Sequence, residues 1–195
     1  MTTIIAKAYP ETIVVSYDSQ ETDGNLKSNI GTAKVDKLKH FTIGVAGDAA
    51  FASAVKFAYF ETPTSNAEEW TVNYLAPRLR EIADGLPTCK SHDDCEVSYS
   101  AIVIVNGEVM AVDDHCGVQK NADGNYAIGS GAHFAIGALA AGATTEQALK
   151  IASERDIYTG GELHTIEVSA EKASPFEREL TNCFGSVRAL YEKNK

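Results

Sequence analysis

Basic residues are scarce in this 195-residue chain: 17 Lys and Arg stand against 27 Asp and Glu, for a net charge of −10. The summed field repels phosphates, which argues against a nucleic-acid partner. Long apolar runs are missing too. No stretch approaches the roughly 18 residues needed to cross a bilayer, and the start Met1-Thr2-Thr3-Ile4-Ile5 has no basic segment leading into an apolar one. No membrane association is expected, and the chain reads as a cytoplasmic, non-secreted protein. Cysteine is sparse. Cys89, Cys95, Cys116 and Cys183 lie in a chain long enough to need no staples, so reduced thiols are expected and not a disulfide framework. Cys89, His92, Cys95, His115 and Cys116 match none of the short paired spacings that tetrahedral zinc sites favour, so neither metal nor cofactor is expected. Internal repeats, low-complexity segments and long linkers are absent as well.

What remains, with 44% hydrophobic and 23% charged residues, is the composition of one globular domain with a sizeable core. Thr3-Ile4-Ile5-Ala6 and Thr12-Ile13-Val14-Val15 are β-branched runs flanking Tyr9-Pro10-Glu11, which suits an antiparallel hairpin. Phe41-Thr42-Ile43-Gly44-Val45-Ala46 supplies another strand, ending at Gly47. The spacing of Phe51, Val55 and Tyr59 predicts a buried helix over 49–60. A second helix opens with the capping box Ser65 and Glu68 and carries Trp70, Leu75, Leu79, Ile82 and Leu86 in one stripe, with Pro77 bending or dividing it. Asn106-Gly107 joins strands at 97–105 and 108–112 as a tight hairpin. Tyr126-Ala127-Ile128 runs into Gly129-Ser130-Gly131 and an Ala/Gly-rich helix over 133–141. Thr144 and Gln147 form a second capping box, 163–168 alternates as a strand, and a third box, Ser174 to Glu177, opens an amphipathic tail. Hairpins among grouped strands, with helices between, predict an α+β fold: a four-layer αββα sandwich of two stacked antiparallel sheets flanked by helices. Residues 1–170 form the domain, and 171–195 are a helical extension of it.

Chemistry is most concentrated at the start of the chain. Met1 precedes a small residue, so its trimming exposes Thr2, placing a hydroxyl and a free α-amine on one residue. A threonine hydroxyl needs a base, and an α-amine with a pKa of about 7.7–8.0 is suited to take its proton. A Gly-x-Ser-x-Gly elbow is missing around Ser130, because Ile128 stands two before it. The Gly129-Ser130-Gly131 loop also lacks a Walker lysine and a third fingerprint glycine.

Four segments, Thr2-Thr3-Ile4, Tyr17-Asp18-Ser19-Gln20, Gly31-Thr32-Ala33-Lys34-Val35 and Gly44-Val45-Ala46-Gly47-Asp48, resemble in order the front half of proteasome β subunits and of the bacterial peptidase HslV. Ala127-Ile128-Gly129-Ser130-Gly131 and the stretch 148–166, with Asp156-Ile157-Tyr158-Thr159-Gly160-Gly161, are similar to the back half. The resemblance spans residues 2–168 and implies a threonine endopeptidase of the N-terminal-nucleophile superfamily. It makes Thr2 the nucleophile and Lys34 the cation that lowers the pKa of the amine. Asp18 is the partner that holds Lys34, and Gly47 is the oxyanion N–H donor. Ser130, Asp156 and Thr159 are implied to organise the surroundings of the amine, and Val45, Ala49 and Ser53 an apolar, uncharged pocket for the residue before the scissile bond. Unfolded polypeptides as substrates, stacked rings of identical chains and a partner ATPase that unfolds substrates are implied too.

The match is divergent. Thr159 replaces a serine, and Asp48 stands where proteasome subunits carry a second glycine, adding a negative charge near the cleft. Residues beyond about 170 have no counterpart in the short HslV chain, and their apolar face covers either the body or a neighbouring subunit. Two other readings stay open: a non-catalytic ring subunit, and an amidase using the same N-terminal chemistry on a small molecule. Retention of Thr2, Asp18, Lys34, Gly47, Ser130 and Asp156 together disfavours the former.

Overall fold

β-Branched alternation builds the first sheet. The structure, a computed structural model, describes residues 2–23, 25–86 and 97–171. Strands β1 (Thr3–Ala8) and β2 (Thr12–Asp18) pair antiparallel, with Ile4 opposite Tyr17 and Ala8 opposite Ile13. β10 (Asn125–Gly129) adds to the free side of β1, and β11 (Leu163–Ser169) to that of β2. The order is β10-β1-β2-β11, so β1 is bonded on both edges. A second, five-stranded antiparallel sheet runs β5 (Val35–Lys37), β6 (Thr42–Gly47), β7 (Tyr99–Val105), β8 (Glu108–Asp113) and β9 (Val118–Gln119). Asn106 and Gly107, with φ of 50° and 74°, form the two-residue turn between β7 and β8, as the sequence predicts. A short hairpin of β3 (Gln20–Asp23) and β4 (Leu26–Asn29) projects after β2.

Neighbouring residues on one strand feed different cores, because side chains alternate across a sheet. Ile4 packs between the two sheets with Val15, Tyr17, Ile102 and Ile128, whereas Ile5 faces the other way, against Leu139, Leu149 and Ala152. Those last residues belong to α4 (Ala132–Ala140) and α5 (Thr145–Arg155), which cover the four-stranded sheet. The outer face of the five-stranded sheet buries Val103 and Met110 under Phe51, Leu75 and Leu79. Those side chains come from α1 (Ala49–Phe57), the π-helical turn Thr71–Leu75 and α3 (Ala76–Asp84), with α2 (Ala67–Trp70) leading into the π turn. The layers therefore run helix, sheet, sheet, helix, an α+β sandwich.

Some boundaries differ from the sequence reading. α1 ends at Phe57 and not at 60: Ala58 turns to an extended backbone, which frees Phe60 to meet Phe41 edge-on at 5.2 Å. The second helix is capped by Asn66, whose side chain accepts from the Glu69 N–H at 3.1 Å, so Ser65 and Glu68 are not its box. Pro77 does divide the helix. Lacking an N–H, it follows a residue whose amide already reaches back five positions, Ala76 N–H to Thr71 O, and the α-helix restarts there. The Thr144–Gln147 box forms in full. The third box, Cys183 and the extension beyond 171 lie outside the described residues, as do Cys89, His92 and Cys95.

Candidate active site

Two strand ends and one loop converge beside Thr2. Thr2 immediately precedes β1 and is only 9% exposed. Its carbonyl accepts the Ser130 N–H at 3.0 Å, which anchors it to the turn entering α4. Gly129 makes that approach possible: its φ is 89°, and a Cβ there would collide with the Thr2 carbonyl oxygen.

Asp18, the last residue of β2, is fully buried and accepts on both of its carboxylate oxygens. Oδ1 accepts from the Thr3 N–H at 2.8 Å and from Lys34 Nζ at 3.0 Å, and Oδ2 from the Gly160 N–H at 3.1 Å. Lys34 is itself only 6% exposed and also donates to the Gln20 carbonyl at 2.6 Å. Burial pulls the Lys34 ammonium below its ordinary 10.5, against the attraction of Asp18 and Glu21. A charge pair sealed this well is costly to break, because either partner alone is left buried and unmatched. It is a fixed part of the site and not a surface pair.

Thr2, Lys34 and Gly47 border one cleft of about 300 Å³. Val45, Ala49 and Ser53 lie on its wall, as do Glu21, Asp36 and Lys56. Gly47 has φ 133°, and a Cβ would overlap the Ser98 carbonyl and stand 2.8 Å from Tyr99 Cα on the paired strand. Only glycine fits there. Asp48, the charge that the sequence places near the cleft, turns its carboxylate onto the start of α1: Oδ1 accepts the Ala50 N–H at 2.7 Å and the Phe51 N–H at 3.0 Å. Those N–H groups and the positive end of the helix largely absorb it.

Ser130, Asp156 and Thr159 do not line this cleft: Thr159 and, through it, Asp156 connect to Thr3, while Ser130 meets Thr2 through its backbone N–H. Thr3 Oγ1 accepts from the Gly131 N–H at 2.9 Å and shares a 2.6 Å hydrogen bond with Thr159 Oγ1. Thr159 Oγ1 also bonds Asp156 Oδ2 at 2.6 Å, and the Tyr158 N–H donates to Asp156 Oδ1 at 3.2 Å. Burial pushes the Asp156 carboxyl up, but Ser130, Thr159 and the Tyr158 N–H outweigh it and hold the pKa below 3.8. The Ser130 hydroxyl is buried close enough to steady that charge, yet it makes no well-formed hydrogen bond among the described residues. Sequence reasoning passed over Thr3, because a second threonine at the head of a strand carries no signal of its own.

Among the described residues, Asp113, Asp114 and His115 bring three potential metal-ligating atoms within 4.8 Å of one another. They are already engaged within their turn: Asp113 Oδ1 accepts the His115 and Gly117 N–H groups, and Asp114 Oδ1 lies 2.7 Å from His115 Nδ1. Cys116, in the same turn, is a free thiol. No described helix is long and apolar enough to cross a membrane.

No family model matches the chain, and no curated protein does. Solved structures do. Eukaryotic HslV from Trypanosoma brucei aligns with a TM-score of 0.63 at 22% identity, covering 86% of this chain and 99% of that one. BPH of Thiobacillus denitrificans in complex with epoxomicin aligns with a TM-score of 0.68 at 19% identity, covering 89% and 100%. A second BPH structure gives 0.67 at 18%, covering 89% and 99%. Likeness over nearly the whole of each chain at such low identity is likeness of fold: this chain is folded as HslV and BPH are.

Proposed function

We propose that the chain is a threonine endopeptidase, in which removal of Met1 exposes Thr2 as the nucleophile. The observation that carries this reading is the convergence of Thr2, Lys34 and Gly47 on one cleft, with Lys34 locked by the buried carboxylate of Asp18. In the reaction, the Thr2 α-amine takes the hydroxyl proton, through a water, as Oγ1 attacks the peptide carbonyl carbon. The fixed charge of Lys34 keeps that amine in its basic form. The Gly47 N–H stabilises the oxyanion of the tetrahedral intermediate. Protonation of the departing amine breaks the C–N bond and leaves an ester on Thr2, which water hydrolyses. Asp18 positions Lys34. Ser130, Asp156 and Thr159 position the N-terminal residues, and Val45, Ala49 and Ser53 contribute to the pocket for the residue before the scissile bond.

The likeness to HslV extends the proposal to a ring of identical chains that encloses the sites and receives unfolded polypeptide in the cytoplasm, delivered by an ATP-driven unfoldase. Epoxomicin, bound in the BPH structure, is the natural probe. Intact mass should show a chain lacking Met1 that gains one epoxomicin, Thr2→Ala should gain none, and the unmodified protein should sediment as a multi-copy assembly. A chain that keeps Met1, or one that starts at Thr2 and never forms the adduct, would falsify the peptidase reading.

A further inference from the structure

The cleft is more highly charged than Val45, Ala49 and Ser53 alone imply, with two carboxylates and two ammonium groups on its wall. Glu21 enters from β3, Asp36 from β5 and Lys56 from the last turn of α1, beside Lys34. Lys34 is matched by Asp18 at 3.0 Å and Lys56 by Asp36 at 2.8 Å. Glu21 makes no ion pair among the described residues, although its field reaches Lys34. With the buried Asp18 counted beside the four charges on the wall, one carboxylate is in excess, and the net charge of −10 on the chain adds to it. Between these charges the wall is apolar, with Ile30, Val45 and Phe57 on it.

We propose that this cleft selects segments carrying lysine or arginine immediately before the scissile bond, the aliphatic stem against the apolar wall and the cationic end on Glu21 and Asp36. The Asp36–Lys56 pair is open enough for this, its side chains being 23% and 35% exposed. A substrate cation can share Asp36 with Lys56 without the desolvation that a sealed pair demands. An acidic side chain meets two carboxylates and reaches Lys56 only by displacing Asp36. A purely apolar one fills the wall and leaves the excess charge unanswered. Long cationic side chains suit such a site, since their methylenes lie along apolar surface while the charge stays in a polar setting.

This specificity rests on the peptidase reading, and one experiment separates the two. Peptides identical except for Lys, Arg, Leu or Glu before a fluorogenic leaving group are assayed with the full-length protein, alongside epoxomicin adduct formation by mass. Lys and Arg should exceed Leu by about tenfold in kcat/KM, and Glu by more, with the advantage shrinking as salt rises. Glu21→Gln should cut the Lys-to-Leu ratio several-fold, and Asp36→Asn should do the same; adduct formation by each variant certifies its fold. If the adduct forms but Leu is preferred, or if Glu21→Gln leaves the ratio unchanged in a protein that still forms it, the specificity is wrong and the peptidase reading stands. With neither adduct nor cleavage, both fall.

Discussion

Replacing the Thr3 hydroxyl by a methyl group, Thr3→Val, tests the scaffold behind Thr2 without touching the proposed chemistry. The variant keeps the N–H bond to Asp18 but leaves the Gly131 N–H without its acceptor and cuts Thr159 from the strand. An unsatisfied buried donor costs about 1–3 kcal/mol. On the peptidase reading, displacement of Thr2 should lower kcat about 10–100-fold with KM little changed, and Thr3→Ser should restore most of it. A loss confined to stability, with kcat intact, would make Thr3 merely structural. Asp156 answers to acid. Its folded pKa lies below the ordinary 3.8, so its contribution to stability is complete above about 3.8 and disappears as pH falls through the lower folded value. Urea midpoints of Asp156→Asn should therefore lie below wild type at neutral pH, with the gap closing under strong acid; a gap independent of pH contradicts this. The pairing of Asp18 with Lys34, 3.0 Å apart, was expected only from the resemblance of their motifs to a known family, since two opposite charges 16 positions apart read locally as an ordinary surface pair. The connection of Thr159 and Asp156 to Thr3 was not expected, since it depends on chain segments 156 positions apart meeting.

Elements were legible where one periodicity or one turn pattern dominated. The β7–β8 hairpin and the box opening α5 form as their residues predict. The β3–β4 hairpin had no such signal, since every residue of β4 is exposed and no apolar alternation marks it. The start of α2 slipped by one because Ser65 and Asn66 are both good caps, and only the tertiary path selects between them. Glycine gives a paired test of element junctions. Gly129→Ala forces a Cβ against Thr2 at a φ of 89°, which should cost about 1–2 kcal/mol or more and abolish epoxomicin labelling. Gly137→Ala, inside α4 with nothing near its would-be Cβ, should raise stability by about 0.5–1 kcal/mol and leave labelling intact. Equal thermal shifts in the two variants would refute the assignment of strain to Gly129.

At the scale of the molecule, the four layers could be inferred from the order of strands and helices, because each apolar face must be covered. The strand order could not. Nothing local in Thr3 to Ala8 specifies that β10, more than a hundred residues later, completes its far edge. Nor do the motifs reveal the charges in the cleft, since Glu21, Asp36 and Lys56 sit on three separate elements whose approach only the fold decides.

That double pairing of β1 carries a consequence in time. β1 and β2 are neighbours in sequence and become available to pair together, but β10, Asp156 and Thr159 are translated long afterwards, at about 5–20 residues per second. Thr2 therefore spends on the order of ten seconds on the nascent chain before its surroundings exist. On the peptidase reading, the distance in sequence between β1 and β10 is a delay line that keeps a newborn chain inert until the later segments have been made.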